Sequence, residues 1–247
     1  ALDATTTGAS NVAIGHNAGT AIAGGSSNIC IGYAAGDSIS TGTGNLAIGY
    51  QALQAEDTAA GTVAIGRNAL VALTTGAGNL GIGYLAGTAL TTGAGNLAVG
   101  YQAMMEHVDG SRNMAIGYGA MDGTQAGGTQ TTSDSSIDNT FIGYDAGGGA
   151  WANAGSNYNV AVGNYSMDAV MNGAVQNTAV GYDALSGLLA GDSNVAIGHK
   201  AGLAITAGVS NICIGDSAGA AIVGNGHNVY IGHEAGDANT GEINVAI

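Results

Sequence analysis

The chain has 247 residues, of which 46 are glycine, none is proline and 8% are charged, with a net charge of −14. Its three cations, Arg67, Arg112 and Lys200, are too few to neutralise phosphates as nucleic-acid binders do, or to hold an anionic membrane by charge. Glycine without a Gly-X-Y period excludes collagen, 46% apolar residues argue against simple disorder, and no run approaches the ~18 apolar residues of a membrane-spanning helix.

Read from the start, Ala1 in place of Met and the lack of a signal-peptide pattern suggest a processed product or an excerpt. Thr5-Thr6-Thr7-Gly8 reads as the tail of a preceding unit. From Asn11 a 17-residue repeat takes over, with Asn28 and Asn45 next, Thr62 in the Asn place, then Asn79, Asn96 and Asn113. Asn139 and Asn159 follow at longer spacing. Asn177, Asn194, Asn211 and Asn228 restore the period, and Asn244 opens a truncated last unit. Four residues after each start stands a glycine, from Gly15 and Gly32 to Gly215 and Gly232.

Within a unit the first and third residues after Asn are aliphatic, as in Asn45-Leu46-Ala47-Ile48-Gly49-Tyr50, so they share one face of a strand. The second is Ala, Cys, Gly, Phe or Tyr and points the other way, which suits a strand buried on both faces. Glycine then permits a corner. A weaker apolar stretch such as Ala21-Ile22-Ala23 follows, and a Thr/Ser/Gly turn closes the unit. Leucine-rich and helical repeats need longer periods, although Asn68–Leu73 looks locally helical.

The expected fold is therefore all-β: a parallel β-solenoid of about 14 coils over residues 1–247 as a single repeat domain, with two or three short strands per turn. Stacking at ~4.8 Å makes a rod of roughly 60 Å. The Asn residues are expected to form a hydrogen-bonded amide ladder along it.

Lateral loop insertions are expected at 122–138 and 147–158, where the spacing lengthens to 26 and then 20 residues. In solenoids such insertions often form the binding face. Trp151, Tyr158 and Tyr144 are the candidate ligand-binding residues there, against the alternative of tolerated loops with no ligand.

The place after the corner glycine is a tyrosine column: Tyr33, Tyr50, Tyr84, Tyr101, Tyr118, Tyr144 and Tyr182. Its rings either cover a corner or an interface, or form an aromatic track for sugars. Near the end His199, Asp216 and His233 occupy this place on consecutive turns. They are the weak metal candidates, set against ordinary surface variation. Cys30 and Cys213 share a place ten turns apart, too far for an intrachain disulfide. They read as small buried residues, with an interchain bond left open.

The unit lacks a calcium nonapeptide, and no nucleophile–His–acid set or phosphate loop stands out, so neither enzyme activity nor a cofactor is expected. Thr74-Thr75 and Thr91-Thr92 hint at an ice-binding face, but the pattern does not persist.

Units such as Asn45–Leu53 and Asn177–Leu185 resemble repeats of bacteriophage tail-fibre proteins and head repeats of trimeric autotransporter adhesins. The resemblance implies left-handed, homotrimeric coils on a virion or cell surface that recognise hosts, with cell-surface glycan as a partner and no membrane insertion. The chain departs from the adhesin heads in its longer period and in Ala52 and Ala69. A trimer would bury the second apolar strand face, and the small-residue column is the face expected at its axis.

Overall fold

The structure is a computed structural model and describes residues 7–55, 58–124, 135–236 and 241–247. Among these the regular structure is all β, without an α-helix, and each turn contributes one strand. The coils fall into two compact units, Ala1–Ile116 and Gly117–Ile247.

In the first unit β1 (Val12–Ile14), β2 (Ile29–Ile31), β3 (Leu46–Ile48), β4 (Val63–Ile65), β5 (Leu80–Ile82), β6 (Leu97–Val99) and β7 (Met114–Ile116) run parallel in chain order. Their register follows the repeat, Val12 against Ile29 and Ile29 against Leu46. The second unit repeats this with β8 (Thr140–Ile142), β9 (Val160–Val162), β10 (Thr178–Val180), β11 (Val195–Ile197), β12 (Ile212–Ile214), β13 (Val229–Ile231) and β14 (Val245–Ala246). Each unit is a parallel β-solenoid with 17-residue coils.

The rest of each turn is not strand, contrary to the expected two or three strands, and Asn68–Leu73 is not helical. Asn68 and Leu70 have φ of 56° and 49°, and left-handed residues this close together cannot continue a right-handed helix. The same two places are left-handed in other turns, as at Gln102 and Met104 or Asp183 and Leu185. The backbone therefore turns sharply, while its N–H groups donate to the next turn, as from Gly36 to Ala52 O at 2.9 Å.

The second strand residue points inward. Cys30, Ala47, Ala64, Phe141 and Tyr230 have no exposed surface. The core between it and the opposite wall is completed by the small residues at Ala18, Ala35 and Ala52 and by Ile22, Ile39, Leu73 and Leu90. This corrects the expected trimer axis. The small-residue column is the interior of the coil, and the face left outside carries the first and third strand residues.

Volume inside a turn is shared between two places. Where the second strand residue is large, the left-handed residue six positions on is glycine. A Cβ on Gly147 would lie 2.6 Å from the Phe141 ring, and one on Gly36 would lie 2.7 Å from Cys30 Sγ. Tyr230 and Cys213 crowd Gly236 and Gly219 in the same way. At Ala47, Ala64, Ala98 and Ala179 the partner is Leu53, Leu70, Met104 or Leu185, whereas Ala13 and Ala196 keep Gly19 and Gly202 at that place. The cysteines are thus volume fillers. Neither cysteine forms a disulfide and both are buried, and burial pushes Cys213 up to about 12, which leaves it unreactive at neutral pH.

The asparagines are joined from turn to turn. The Asn28 N–H donates to Asn11 Oδ1 and the Asn45 N–H to Asn28 Oδ1, both at 2.9 Å, while Asn28 Nδ2 donates to Gly42 O at 2.9 Å. Side-chain amides also bond each other, Asn113 to Asn96 at 3.2 Å in the first unit and Asn194 to Asn177 and Asn211 to Asn194 at 3.0 Å in the second. Asn79, Asn96, Asn113, Asn139, Asn159 and Asn228 are buried rungs of the same kind. Thr62 keeps the incoming bond from its N–H to Asn45 Oδ1, but its own Oγ1 is buried without a partner. Thr62→Asn is expected to stabilise this turn by about 1 kcal/mol, read as a rise in thermal unfolding midpoint. A lower midpoint would show that the amide does not fit the gap.

Candidate functional site

The outward strand residues make a surface whose chemistry differs from the rest of the coil. In the first unit it carries Val12, Ile29, Leu46, Val63, Leu80, Leu97 and Met114 in one column and Ile14, Ile31, Ile48, Ile65, Ile82, Val99 and Ile116 in the other. In the second unit Thr140 and Thr178 are the polar members. None of the strand residues is charged. The net charge of −14 therefore resides on the turns, for example at Asp37, Asp145, Asp168 and Asp183.

These aliphatic side chains are half-buried by their neighbours along the sheet and otherwise face water; Ile197 and Val180 are 41% and 37% exposed. Three residues per strand and seven strands at ~4.8 Å give on the order of 300 Å² of apolar sheet per unit. Contiguous patches of that size are often functional on otherwise ordinary surfaces.

Along one border runs the aromatic column. In the first unit His16, Tyr33 and Tyr50 stack with ring centroids 5.3 and 5.1 Å apart. The Arg67 guanidinium then lies between Tyr50 and Tyr84 at 5.5 and 5.8 Å, and Tyr101 stacks on Tyr84 at 5.1 Å. In the second unit Tyr118 stacks on Tyr144, Tyr165 meets Tyr144 and Tyr182 edge-on, and His199 stacks on Tyr182.

Stacking decides what this column can do. Sugar rings pack on a free aromatic face, and in stacked pairs such as Tyr33–Tyr50 those faces cover one another. What remains is a row of ring edges and hydroxyls. Each pair contributes on the order of 0.5–1.5 kcal/mol to holding successive turns together. Arg67 and Tyr165, the members that the tyrosine pattern did not single out, complete the series. Arg67 stands in the tyrosine place, which is the signal that could have found it.

The three candidate ligand residues do not converge. Trp151 has no exposed surface; it meets Phe141 edge-on at 5.6 Å, and its Nε1–H donates to Gly147 O at 3.0 Å. The segment 147–158 is tied into the coil, with Trp151 N–H donating to Gly123 O and Ala152 N–H to Met171 O. Tyr144 belongs to the aromatic column, where the adjacent Asp145 holds its phenol above the usual tyrosine range. Tyr158 is half exposed and precedes Asn159, so a strand separates its border from the column that holds Tyr144. Most of the expected loop at 122–138, residues 125–134, lies outside the described residues.

His199, Asp216 and His233 do come together. His199 Nδ1 lies 2.9 Å from Asp216 Oδ1, and His233 Nε2 lies 3.9 Å from Oδ2 of the same carboxylate. The hydrogen bond from His199, then that from Ser217, holds the Asp216 carboxyl below its usual range. The two imidazoles approach opposite oxygens, which suits bridging by the carboxylate and not convergence on one ion. Among the described residues no group of three His, Cys, Asp or Glu is arranged to hold a metal.

Thr74 and Thr206 bond carbonyls of the next turn through Oγ1, at 3.1 and 3.2 Å, and Thr91 Oγ1 donates to Asp109 Oδ1 at 2.6 Å. Their hydroxyls belong to the coil and do not form an outward threonine face. No helix among the described residues is long and apolar enough to cross a membrane. Compared with family models, curated proteins and solved structures, the chain matches none.

Proposed function

We propose that the chain is a non-enzymatic shaft segment of a bacteriophage tail fibre, on a virion or cell surface, that takes part in host-surface attachment. In this reading three copies of a left-handed coil associate through their outer strand faces. The observation that carries it is the uncharged, mostly aliphatic surface built from the outward strand residues of successive turns, which lies against water in a single chain. Covering it removes apolar area that the coil cannot close by itself, and charges on the turns keep assembled fibres apart. A bacterial adhesin head or a purely structural filament shares this architecture, and the ligand distinguishes them.

Light scattering is expected to give a trimer. Ile48→Asp with Ile65→Asp, both at outward positions, is expected to yield folded monomers, because each buried carboxylate would lack a partner. A wild-type monomer at micromolar concentration would end the trimer reading. Binding of labelled chain to host cells and to immobilised glycans tests attachment separately. No binding by a verified trimer would leave only the filament.

A further inference from the structure

We propose that His107 makes the turn from Asn96 to Arg112 an acid-labile joint of the first unit, opening locally while the turns before it stay closed. In four other turns of this unit the matching place holds Ile22, Ile39, Leu73 or Leu90, all buried, while the turn from Asn45 has Glu56 there, outside the described residues. His107 occupies the same interior place with no exposed surface.

Its hydrogen bonds require the neutral ring. Nε2 lies 3.1 Å from Asn113 Nδ2, and the Asn113 amide is oriented by donating from Nδ2 to Asn96 Oδ1 at 3.2 Å. An amide nitrogen only donates, so the facing imidazole nitrogen must accept and carries no proton. The ring also bonds the Gly110 backbone, and the charge that acts on it is that of Asp109. Asp109 is partly spent on the hydroxyls of Thr91 and Thr92, at 2.6 and 2.9 Å. The preceding turn carries Leu90 and Thr91 at the matching places and the following one begins with Asn113, and none of these titrates.

A proton on Nε2 would set two donors face to face and place a cation where water does not reach. Burial accordingly lowers the ring to about 4. The opened turn, with an ordinary value near 6.5, binds more protons than the closed one between these limits. Stability is therefore full above about pH 6.5 and is lost as the pH falls towards 4. Opening also releases Asn113, a rung of the amide ladder. Solenoid energies are mostly nearest-neighbour, which confines the effect.

Hydrogen exchange of the whole chain, read by mass spectrometry at pH 7 and pH 4.5 and corrected for intrinsic rates, tests this. Wild-type protection over 96–113 is expected to fall roughly 60-fold between pH 7 and pH 4.5, while 28–48 keeps its protection. His107→Leu, which restores the residue found in two sister turns, is expected to abolish the difference. Equal losses in both proteins, or none in the wild type, would overturn the proposal. So would a His107 ring that titrates near 6.5 by NMR in the wild type, a readout that does not depend on the variant folding.

Discussion

Gly66→Ala is expected to destabilise the chain by about 4 kcal/mol, the size of effect reserved for steric conflict in a packed interior. Gly66 has φ of 138°, beyond the left-handed region that other residues visit. A Cβ there would stand 2.3 Å from Gly83 O and 2.7 Å from Gly83 C. Neither atom is free to retreat, because the N–H groups of Gly66 and Gly83 donate at 2.8 Å to Ile48 O and Ile65 O. Relief means separating successive turns and losing the pairing of β4 with β5. Gly78→Ala is the control: φ is 68°, nothing lies within 4 Å of its Cβ, and Ser, Arg, Tyr or His occupies that place in other turns. It is expected to cost no more than about 1 kcal/mol. Denaturant unfolding, with exchange at Val63–Ile65 and Leu80–Ile82, reads both variants. Equal losses would show that the corner glycine is needed for its dihedral angle alone.

Phe141→Ala is expected to cost about 3–5 kcal/mol, since it empties the middle of a turn and removes the edge contact with Trp151. The more telling variant adds Gly147→Leu. Gly147 has φ of 63°, and Leu53, Leu70 and Leu185 already adopt nearly this conformation at the equivalent place, with φ of 52°, 49° and 51°. The double variant, Phe141→Ala with Gly147→Leu, would carry the same pair of side chains as Ala64 and Leu70, so most of the loss should return. Gly147→Leu alone should destabilise, because its side chain would enter the Phe141 ring. A double variant no better than Phe141→Ala would show that the two places do not share one volume.

The same contrast separates what was legible from what was not. The repeat alone placed the strands. An aliphatic, small, aliphatic triplet between Asn and Gly can hardly be anything else, and Val12–Ile14 through Val229–Ile231 stand where the triplets do. It also placed the corner glycines, whose requirement for positive φ is a local property. It failed where the answer depended on what lies across the coil. Alternation says that a strand has two faces but not which one closes, and the bulkier face was expected inside. The reverse holds because the opposite wall already brings Ile22, Leu53 or Leu70, and little more than a methyl group fits between. Trp151 was expected outside because it falls in an insertion; it is inside, packed edge-on against Phe141 with its Nε1–H bonded to Gly147 O.

Sequence by itself therefore determined the period, the all-β coil, the corners and the asparagine spine, each set by residues near one another in the chain. Only the tertiary structure decided which face is core, which aromatic faces are spent on stacking, and that His107 replaces an aliphatic residue in the interior. Those outcomes depend on volume and hydrogen-bond partners supplied by residues a turn away or across the coil.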